Sequence, residues 1–374
     1  MSPRQRYSTG DDKLDAEINK LLDDAGATED RDQLFEILVS GVALAGDHTD
    51  RLDLKITNAA LQEMRGAFNM FAPYRDVPKV TIFGSARTKP TDPLYAQTVE
   101  VAKQFAQREW MIVTGAGPGI MQAGMEGAGP EMSIGVLIRL PFEAGANDII
   151  AGDPKLTEMK YFFTRKLMLM KESAAFIALP GGFGTLDETF ELLTLVQTGK
   201  AVPTPIVLLD TPGGNYWQGL DAWIQDEVAR NGWISAGDDS LYCITDSVDE
   251  ALHEVEEFYR NYHSLRYVGD RLVIRLHAEP TADELAMLTE KYQAILKGGA
   301  IEAARPFPPE VSSNDHVELP RIAMQFDRRS FGPLRRLIDD LNDVASAPAP
   351  GAKPPTVREE AASVRERDEQ EDAD

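Results

Sequence analysis

A doubly wound α/β fold, in which helices cover both faces of a parallel sheet, is what this chain's pattern predicts. Three observations carry that prediction. Short apolar runs alternate with amphipathic segments of helical length from Lys79 to Tyr262, which is the mark of right-handed βαβ crossovers. Three of those runs, ending at Phe83, Thr114 and Leu179, pass straight into glycine-rich turns. Helical spacing resumes beyond each turn, and in such sheets ligands sit beyond the carboxyl ends of the strands.

Residues 1–77 read as a helical N-terminal arm. Leu14, Ile18, Leu21 and Leu22 recur at helical spacing, as do Leu34, Ile37, Leu38 and Val42. Leu54–Phe71 adds Ile56, Leu61, Met64, Phe68 and Phe71. Such faces pack on a main domain or on another subunit, and a separate binding role is the other reading. Residues 78–263 form the main domain. Its strands are expected at Lys79–Phe83, Trp110–Thr114, Ser133–Ile138, Ala174–Leu179, Thr204–Leu209 and Leu241–Ile244. Helices are expected over Pro93–Arg108, from Ile120, over Leu156–Ser173 after a loop at Pro141–Pro154, from Leu186, over Tyr216–Arg230 and over Val248–Tyr262.

Residues 264–344 read as a small α+β domain. Leu265–Val268 and Arg271–Leu276 flank Gly269-Asp270, a two-residue hairpin turn. Thr281 with Glu284 forms a capping box that opens a helix to Leu296, with Gly298-Gly299 beyond its end. A strand at Arg321–Phe326 and a helix at Phe331–Leu341 complete the domain. Residues 345–374, rich in proline, alanine and charge, are expected to be a disordered acidic tail.

The net charge of -23 argues against partners that need clustered cations, namely nucleic acid and anionic membrane surfaces. A small anionic ligand needs only local positive potential. The single cysteine, Cys243, leaves no internal disulfide and no cysteine-built metal site. The histidines show no metal-ligand spacing, so no metal is expected. The opening MSPRQRYSTGDDK lacks an apolar signal core, and no run approaches the roughly 20 apolar residues of a membrane span. A cytoplasmic protein is expected.

Function concentrates in Ala174–Gly199. An apolar strand breaks at Pro180-Gly181-Gly182-Phe183-Gly184-Thr185, and helical spacing resumes at Leu186, Phe190, Leu193 and Val196. A strand, a glycine turn and a helix aim free N–H groups and a helix N-terminus at an anion. Glu188 has two readings. With Thr185 as N-cap it closes a capping box, which explains it fully; alternatively it stands beside the phosphate grip and reaches a bound sugar. Arg165-Lys166 lies among Tyr161, Phe162, Phe163, Leu167, Met168, Leu169 and Met170, so the helix should be buried and its arginine needs an anion. A structural ion pair, a ligand phosphate and a catalytic carboxylate all meet that need.

Elsewhere the signals are weaker. Gly115-x-Gly117-x-Gly119 departs from the dinucleotide spacing, and Arg139 stands about where a ribose-binding acid would be, leaving only an NADP-like variant. There is no G-K-[ST], hence no P-loop. Arg328, Arg329, Arg335 and Arg336 read as surface partners of Asp327, Asp339 and Asp340, or as a contact for an anionic effector or a subunit.

Pro180-Gly181-Gly182-Phe183-Gly184-Thr185-Leu186-Asp187-Glu188 matches the PGGxGTxxE motif of the Lonely Guy (LOG) family, whose members are often mislabelled lysine decarboxylases. Phe163-Thr164-Arg165-Lys166-Leu167-Met168 resembles its arginine–lysine segment. Phe83-Gly84-Ser85-Ala86-Arg87 and Gly115-Ala116-Gly117-Pro118-Gly119-Ile120-Met121 resemble its first two glycine turns. The resemblance covers Pro78–Tyr262, so the arm and the C-terminal domain mark a long variant.

The resemblance implies a Rossmann-like domain that hydrolyses the N-glycosidic bond of nucleoside 5′-monophosphates, AMP or cytokinin riboside monophosphates, to free base and ribose 5-phosphate. It implies Arg165 and Glu188 as the catalytic pair. Gly181, Gly182, Gly184 and Thr185 would hold the phosphate, and Gly84, Ser85, Gly115, Gly117 and Lys166 would complete the substrate-binding set. It further implies a homodimer or larger assembly and no metal or redox cofactor. Ala116 departs from the family, where many members carry a third glycine. A decarboxylase reading lacks a lysine suited to pyridoxal phosphate. The alternative is a non-catalytic nucleotide or cofactor carrier on the same fold, which loss of the arginine or the glutamate would favour; both are present here.

Overall fold

The computed structural model describes residues 8–141 and 145–349. The expected tail lies outside the described residues from 350 onward. Three helices come first: α1 (Asp12–Asp24), α2 (Arg31–Gly46) and α3 (Arg51–Phe71). The chain divides into two compact units, one ending at Met64 and the other beginning at Arg65, within α3. In the first unit, Asp11 caps α1 by accepting from the N–H groups of Lys13 and Leu14. Ile18 and Leu22 of α1 close on Phe35 and Val39 of α2. The expected faces are corrected here: Leu14, Leu21, Leu34, Ile37 and Val42 are exposed, because two short helices bury only a narrow stripe.

The second unit opens with β1 (Lys79–Phe83), α4 (Pro93–Gln107), β2 (Met111–Thr114), α5 (Ile120–Ala128) and β3 (Ser133–Ile138). It continues through β4 (Leu156–Met159), α6 (Phe162–Lys171), β5 (Ala175–Ala178), α7 (Phe183–Gln197) and β6 (Ile206–Leu209). Then come α8 (Tyr216–Trp223), β7 (Cys243–Thr245) and α9 (Val248–Phe258). All seven strands pair in parallel in the order β4-β3-β2-β1-β5-β6-β7. The chain walks outward from β1 to β4, returns to lay β5 against β1, and walks outward again to β7. The strand order therefore reverses between β1 and β5, and that is where such sheets open a crevice at their carboxyl edge. β1 and β5 are buried along their whole lengths, as a doubly covered parallel sheet requires.

Several expectations change; the helix from Val248, for one, ends at Phe258, and Tyr262 already opens a strand. Leu156–Met159 is an edge strand on β3, not the start of a helix. Its exposed or half-exposed Leu-Thr-Glu carries no apolar run, so the sheet edge itself supplies the pairing. The helix from Tyr216 ends at Trp223 and passes into a π-helical turn, Ile224–Ala229.

The chain continues through β8 (Tyr262–Val268), β9 (Arg271–Leu276), α10 (Ala282–Lys291), β10 (Leu296–Ala304), α11 (Pro308–Ser313), β11 (Arg321–Phe326) and α12 (Phe331–Asp343). Its strands form a second, antiparallel sheet in the order β10-β11-β9-β8. The expected hairpin turns at Gly269-Asp270, and the capping box of Thr281 and Glu284 is present. The helix after it stops at Lys291, however, and Gly298-Gly299 lies inside the bulged strand β10. One apolar cluster runs from Val80 and Ile82 through Val255 and Phe258 to Leu272, Ile274 and Leu337, so both sheets share a core.

The opposite face of the second sheet carries Arg266, Arg275 and Arg321, all fully buried. Glu310 accepts from Arg275 and Arg321, and Asp315 from Arg266 and Arg275. His263, scattered in sequence from His277 and His316, meets the first edge-on and lies tilted against the second. The expected surface arginines are corrected in part. Arg335 is buried, lies over the Phe258 ring and pairs with Glu254 of α9 as well as Asp339. Arg336 pairs with Asp239, and Arg328 lies over Tyr267. No helix among the described residues is long and apolar enough to cross a membrane.

Candidate functional site

Three backbone turns meet at the reversal point. A side chain on Gly84 would strike Ile120, and one on Gly119 would lie 2.4 Å from the Ser85 carbonyl. The first two turns can therefore pack backbone on backbone, and Ile120 N–H donates to the Ser85 carbonyl. A Cβ on Gly181 would fall 2.2 Å from Thr185 Oγ1 and 3.1 Å from Ser85 N, which brings the third turn against the first. Gly182 and Gly184 differ, since a side chain on either would meet nothing within 4 Å. Between them Phe183 is 93% exposed. These two glycines border open space.

Of the two readings of Glu188, the capping box does not hold. Gly182 is the N-cap of α7, no side chain caps the helix, and Thr185 is buried within its first turn. The glycine turn's own backbone starts the helix earlier than Thr185 could. The first-turn N–H groups of Phe183, Gly184 and Thr185 precede any intrahelical partner, and the helix dipole adds positive potential there. Glu188 stands in the second turn instead, where it faces Arg165.

Arg165 projects from α6 and is buried. Its Nε–H donates to the Val136 carbonyl of β3 at 2.9 Å, and its Nη1 lies 3.2 Å from Glu188 Oε1. Gly115 makes room for it, since a Cβ there would sit 1.9 Å from Arg165 Nη2. Gly117 makes room for Met121 in the same way. Burial presses the guanidinium below its usual pKa, and Glu188 opposes that shift. Burial also pushes the Glu188 carboxyl up to about 7, against the pull of Arg165 and Lys166. Lys166 bridges Asp187 at 2.7 Å and Glu191 at 2.5 Å, the two acids that flank Glu188 on α7. A carboxyl that titrates near neutrality, held by a buried cation beside an uncapped helix start, can carry charge or move a proton.

Two residues that hold the turns carried no motif. Asn147 donates from Nδ2 to the carbonyls of Ala116 and Gly117, and its backbone N–H also reaches Ala116. Ala116 is fully buried in the left-handed region, at φ 57, so the asparagine fastens a strained turn. Tyr216 donates from its hydroxyl to the Gly181 carbonyl at 2.8 Å. The only signal for it was a fourth instance of the layout, with a strand ending at Leu209, a turn Asp210-Thr211-Pro212-Gly213-Gly214 and a helix. Arg139 pairs with Glu158 at the exposed sheet edge. No group of three or more His, Cys, Asp or Glu among the described residues could hold a metal ion.

Comparison with known proteins adds four findings. Residues 95–255 match a family model described as "Possible lysine decarboxylase". A cytokinin riboside 5′-monophosphate phosphoribohydrolase of Mycobacterium marinum is 31% identical over 167 residues, covering 44% of this chain and 86% of that protein. A probable enzyme of the same name from Oryza sativa subsp. japonica is 26% identical over 186 residues, covering 48% of this chain and 77% of its own. Among solved structures, the molybdenum cofactor carrier protein of Chlamydomonas reinhardtii aligns with a TM-score of 0.34 and 22% identity, over 48% of this chain and 97% of that one.

Proposed function

The chain belongs to the Lonely Guy family, and on that footing we propose that it hydrolyses the N-glycosidic bond of nucleoside 5′-monophosphates to free base and ribose 5-phosphate. The observation that carries this reading is the buried Arg165–Glu188 pair beside the uncapped start of α7. The 5′-phosphate would sit on the N–H groups of Gly182, Gly184 and Thr185, where helix dipole and open space coincide. Glu188, in the next turn, then faces the sugar.

As the bond to the base breaks, its electron pair leaves with the base and positive charge grows on the ribose ring. An ionised Glu188 stabilises that charge or takes a proton from the attacking water, whose oxygen joins the anomeric carbon, and the water's proton ends on the departing base, which leaves as the neutral free base. Arg165 orients the carboxylate and favours its ionised form. Phosphate binding far from the reacting bond supplies energy for positioning the sugar. Lys166 neutralises Asp187 and Glu191, which would otherwise raise the Glu188 pKa further. AMP and cytokinin riboside monophosphates are the proposed substrates, the latter supported by the names of the relatives.

A panel of nucleoside monophosphates, scored for free base by chromatography, tests the reading. Base release from at least one is expected; tight nucleotide binding without release from any would mark a carrier. Self-association belongs to the same proposal. Phe162, Phe163 and Leu167 of α6 and Phe190 of α7 are exposed, on the two helices that hold the pair. A second copy covering them would make a homodimer, and a monomer mass by light scattering would exclude it.

A further inference from the structure

We propose that Tyr216 is a positioning residue for the substrate phosphate, acting through the Gly181–Gly182 peptide; the inference rests on the reading of the glycine turn as a phosphate grip. The Tyr216 hydroxyl donates to the Gly181 carbonyl at 2.8 Å. That carbonyl and the Gly182 N–H belong to one planar trans peptide, so they point in opposite directions. Fixing the carbonyl on the tyrosine turns the Gly182 N–H away from it, toward the ligand side of the turn. Glycine on both sides of this peptide leaves it free to rotate. A rotated peptide would present its carbonyl oxygen to an anion.

The tyrosine is itself held firmly. Asp210, buried at the end of β6, accepts from the N–H groups of Thr211 and Tyr216 at 2.8 Å each and from Trp217 at 3.4 Å. Gly214 is needed for this turn, because a Cβ there would lie 2.2 Å from Asp210 Oδ1. Trp217 is fully buried, donates to the Leu209 carbonyl, and meets the Tyr216 ring edge-on at 4.8 Å between centroids. A chain of fixed groups thus runs from the end of β6 to the turn after β5. Tyr216 does not touch the reacting atoms in this scheme, so its loss should weaken phosphate recognition more than the chemical step.

Tyr216→Phe keeps the ring and removes only the donor. Calorimetric Kd values for AMP, ribose 5-phosphate and adenosine, taken in a Glu188→Gln background so that AMP is not consumed, with kcat for AMP in the otherwise wild-type chain and a melting curve, read its effect on the full chain. The expected result is a rise in Kd of about three- to tenfold for the two phosphorylated ligands, the size of one hydrogen bond. Adenosine binding stays as with Tyr216 intact, and kcat falls by a smaller factor than the Kd rises. Equal weakening of all three ligands with a lower melting temperature would make the tyrosine merely structural and overturn the proposal. The values for AMP and adenosine with Tyr216 intact separate the two layers. If the chain with Tyr216 prefers AMP and Tyr216→Phe keeps that preference, this inference fails and the phosphate grip stands. If the chain with Tyr216 shows no preference, the grip fails and the inference with it.

Discussion

Arg165 and Glu188 flank β5 in sequence, one on the helix before it and one on the helix after it, and they meet at 3.2 Å with side-chain exposures of 9% and 12%. Neither is needed to start its helix, and each is costly to bury alone. The pair is therefore the place to test chemistry against architecture. Glu188→Gln keeps the shape and an acceptor for Arg165, and Arg165→Ala removes the cation. Each is expected to lower kcat for nucleoside monophosphates by about 10²–10⁴ with the circular dichroism spectrum unchanged. A near-normal rate in Glu188→Gln would reduce the pair to a structural bridge.

The pH dependence has a definite sign. With its carboxyl at about 7 in the folded chain, Glu188 is ionised only above neutrality, so kcat/KM should climb through about that pH and then level off. Stability moves the other way. The folded value lies above the ordinary 4.5, so between the two the folded state holds a proton that the unfolded state has lost. Stability from this group is full below about 4.5 and falls as pH rises through about 7. Urea midpoints at pH 5, 6, 7 and 8 should show Glu188→Gln gaining on the wild type as pH rises. Parallel lines for the two proteins would place the Glu188 pKa at its ordinary value.

Much of the fold was legible because burial on both faces writes a continuous apolar run. β1, β3 and β11 fall on Lys79–Phe83, Ser133–Ile138 and Arg321–Phe326, as the runs marked them. β4 and β10 were not legible, since edge strands are half-exposed and β10 holds Gly298 and Gly299. At the site, the arginine's need for an anion was readable from an apolar helix expected to be buried; Arg165 is buried, although Phe162, Phe163 and Leu167 on the same helix are exposed. Its partner was not legible from spacing, because Thr185-x-x-Glu188 satisfies a local rule that the backbone turn makes unnecessary; the family resemblance alone paired the arginine with Glu188. Asn147 and Tyr216 act on backbone carbonyls about thirty residues or more away in sequence, and a carbonyl leaves no trace in residue identity.

Two glycines of the site should respond oppositely to alanine. At Gly115 the added methyl would land 1.9 Å from Arg165 Nη2, whereas at Gly182 nothing lies within 4 Å. Gly115→Ala should displace the guanidinium, lower kcat by about 10²-fold as misplacement does, and depress the melting temperature. Gly182→Ala should leave stability within about 0.5 kcal/mol and raise KM, since the methyl occupies the ligand's side of the turn. Kinetics with a thermal melt on both variants checks the contrast. A Gly182→Ala enzyme with unchanged KM would remove the phosphate from that turn.

The second sheet offers a test of whether the chain folds as one body beyond the arm. Glu310 and Arg275 are both 0% exposed and lie 2.8 Å apart, with Arg321 on the same carboxylate oxygen. Three buried arginines face two carboxylates here, so removing one acid leaves cationic charge uncompensated. Glu310→Gln should cost about 3–5 kcal/mol, as broken buried pairs do. Because one apolar cluster joins this sheet to the parallel sheet, that loss should appear as a single transition at a lower denaturant midpoint, seen equally by tryptophan fluorescence and far-ultraviolet circular dichroism. Two separated transitions, with only one of them shifted, would mean that the C-terminal sheet unfolds independently despite the shared core.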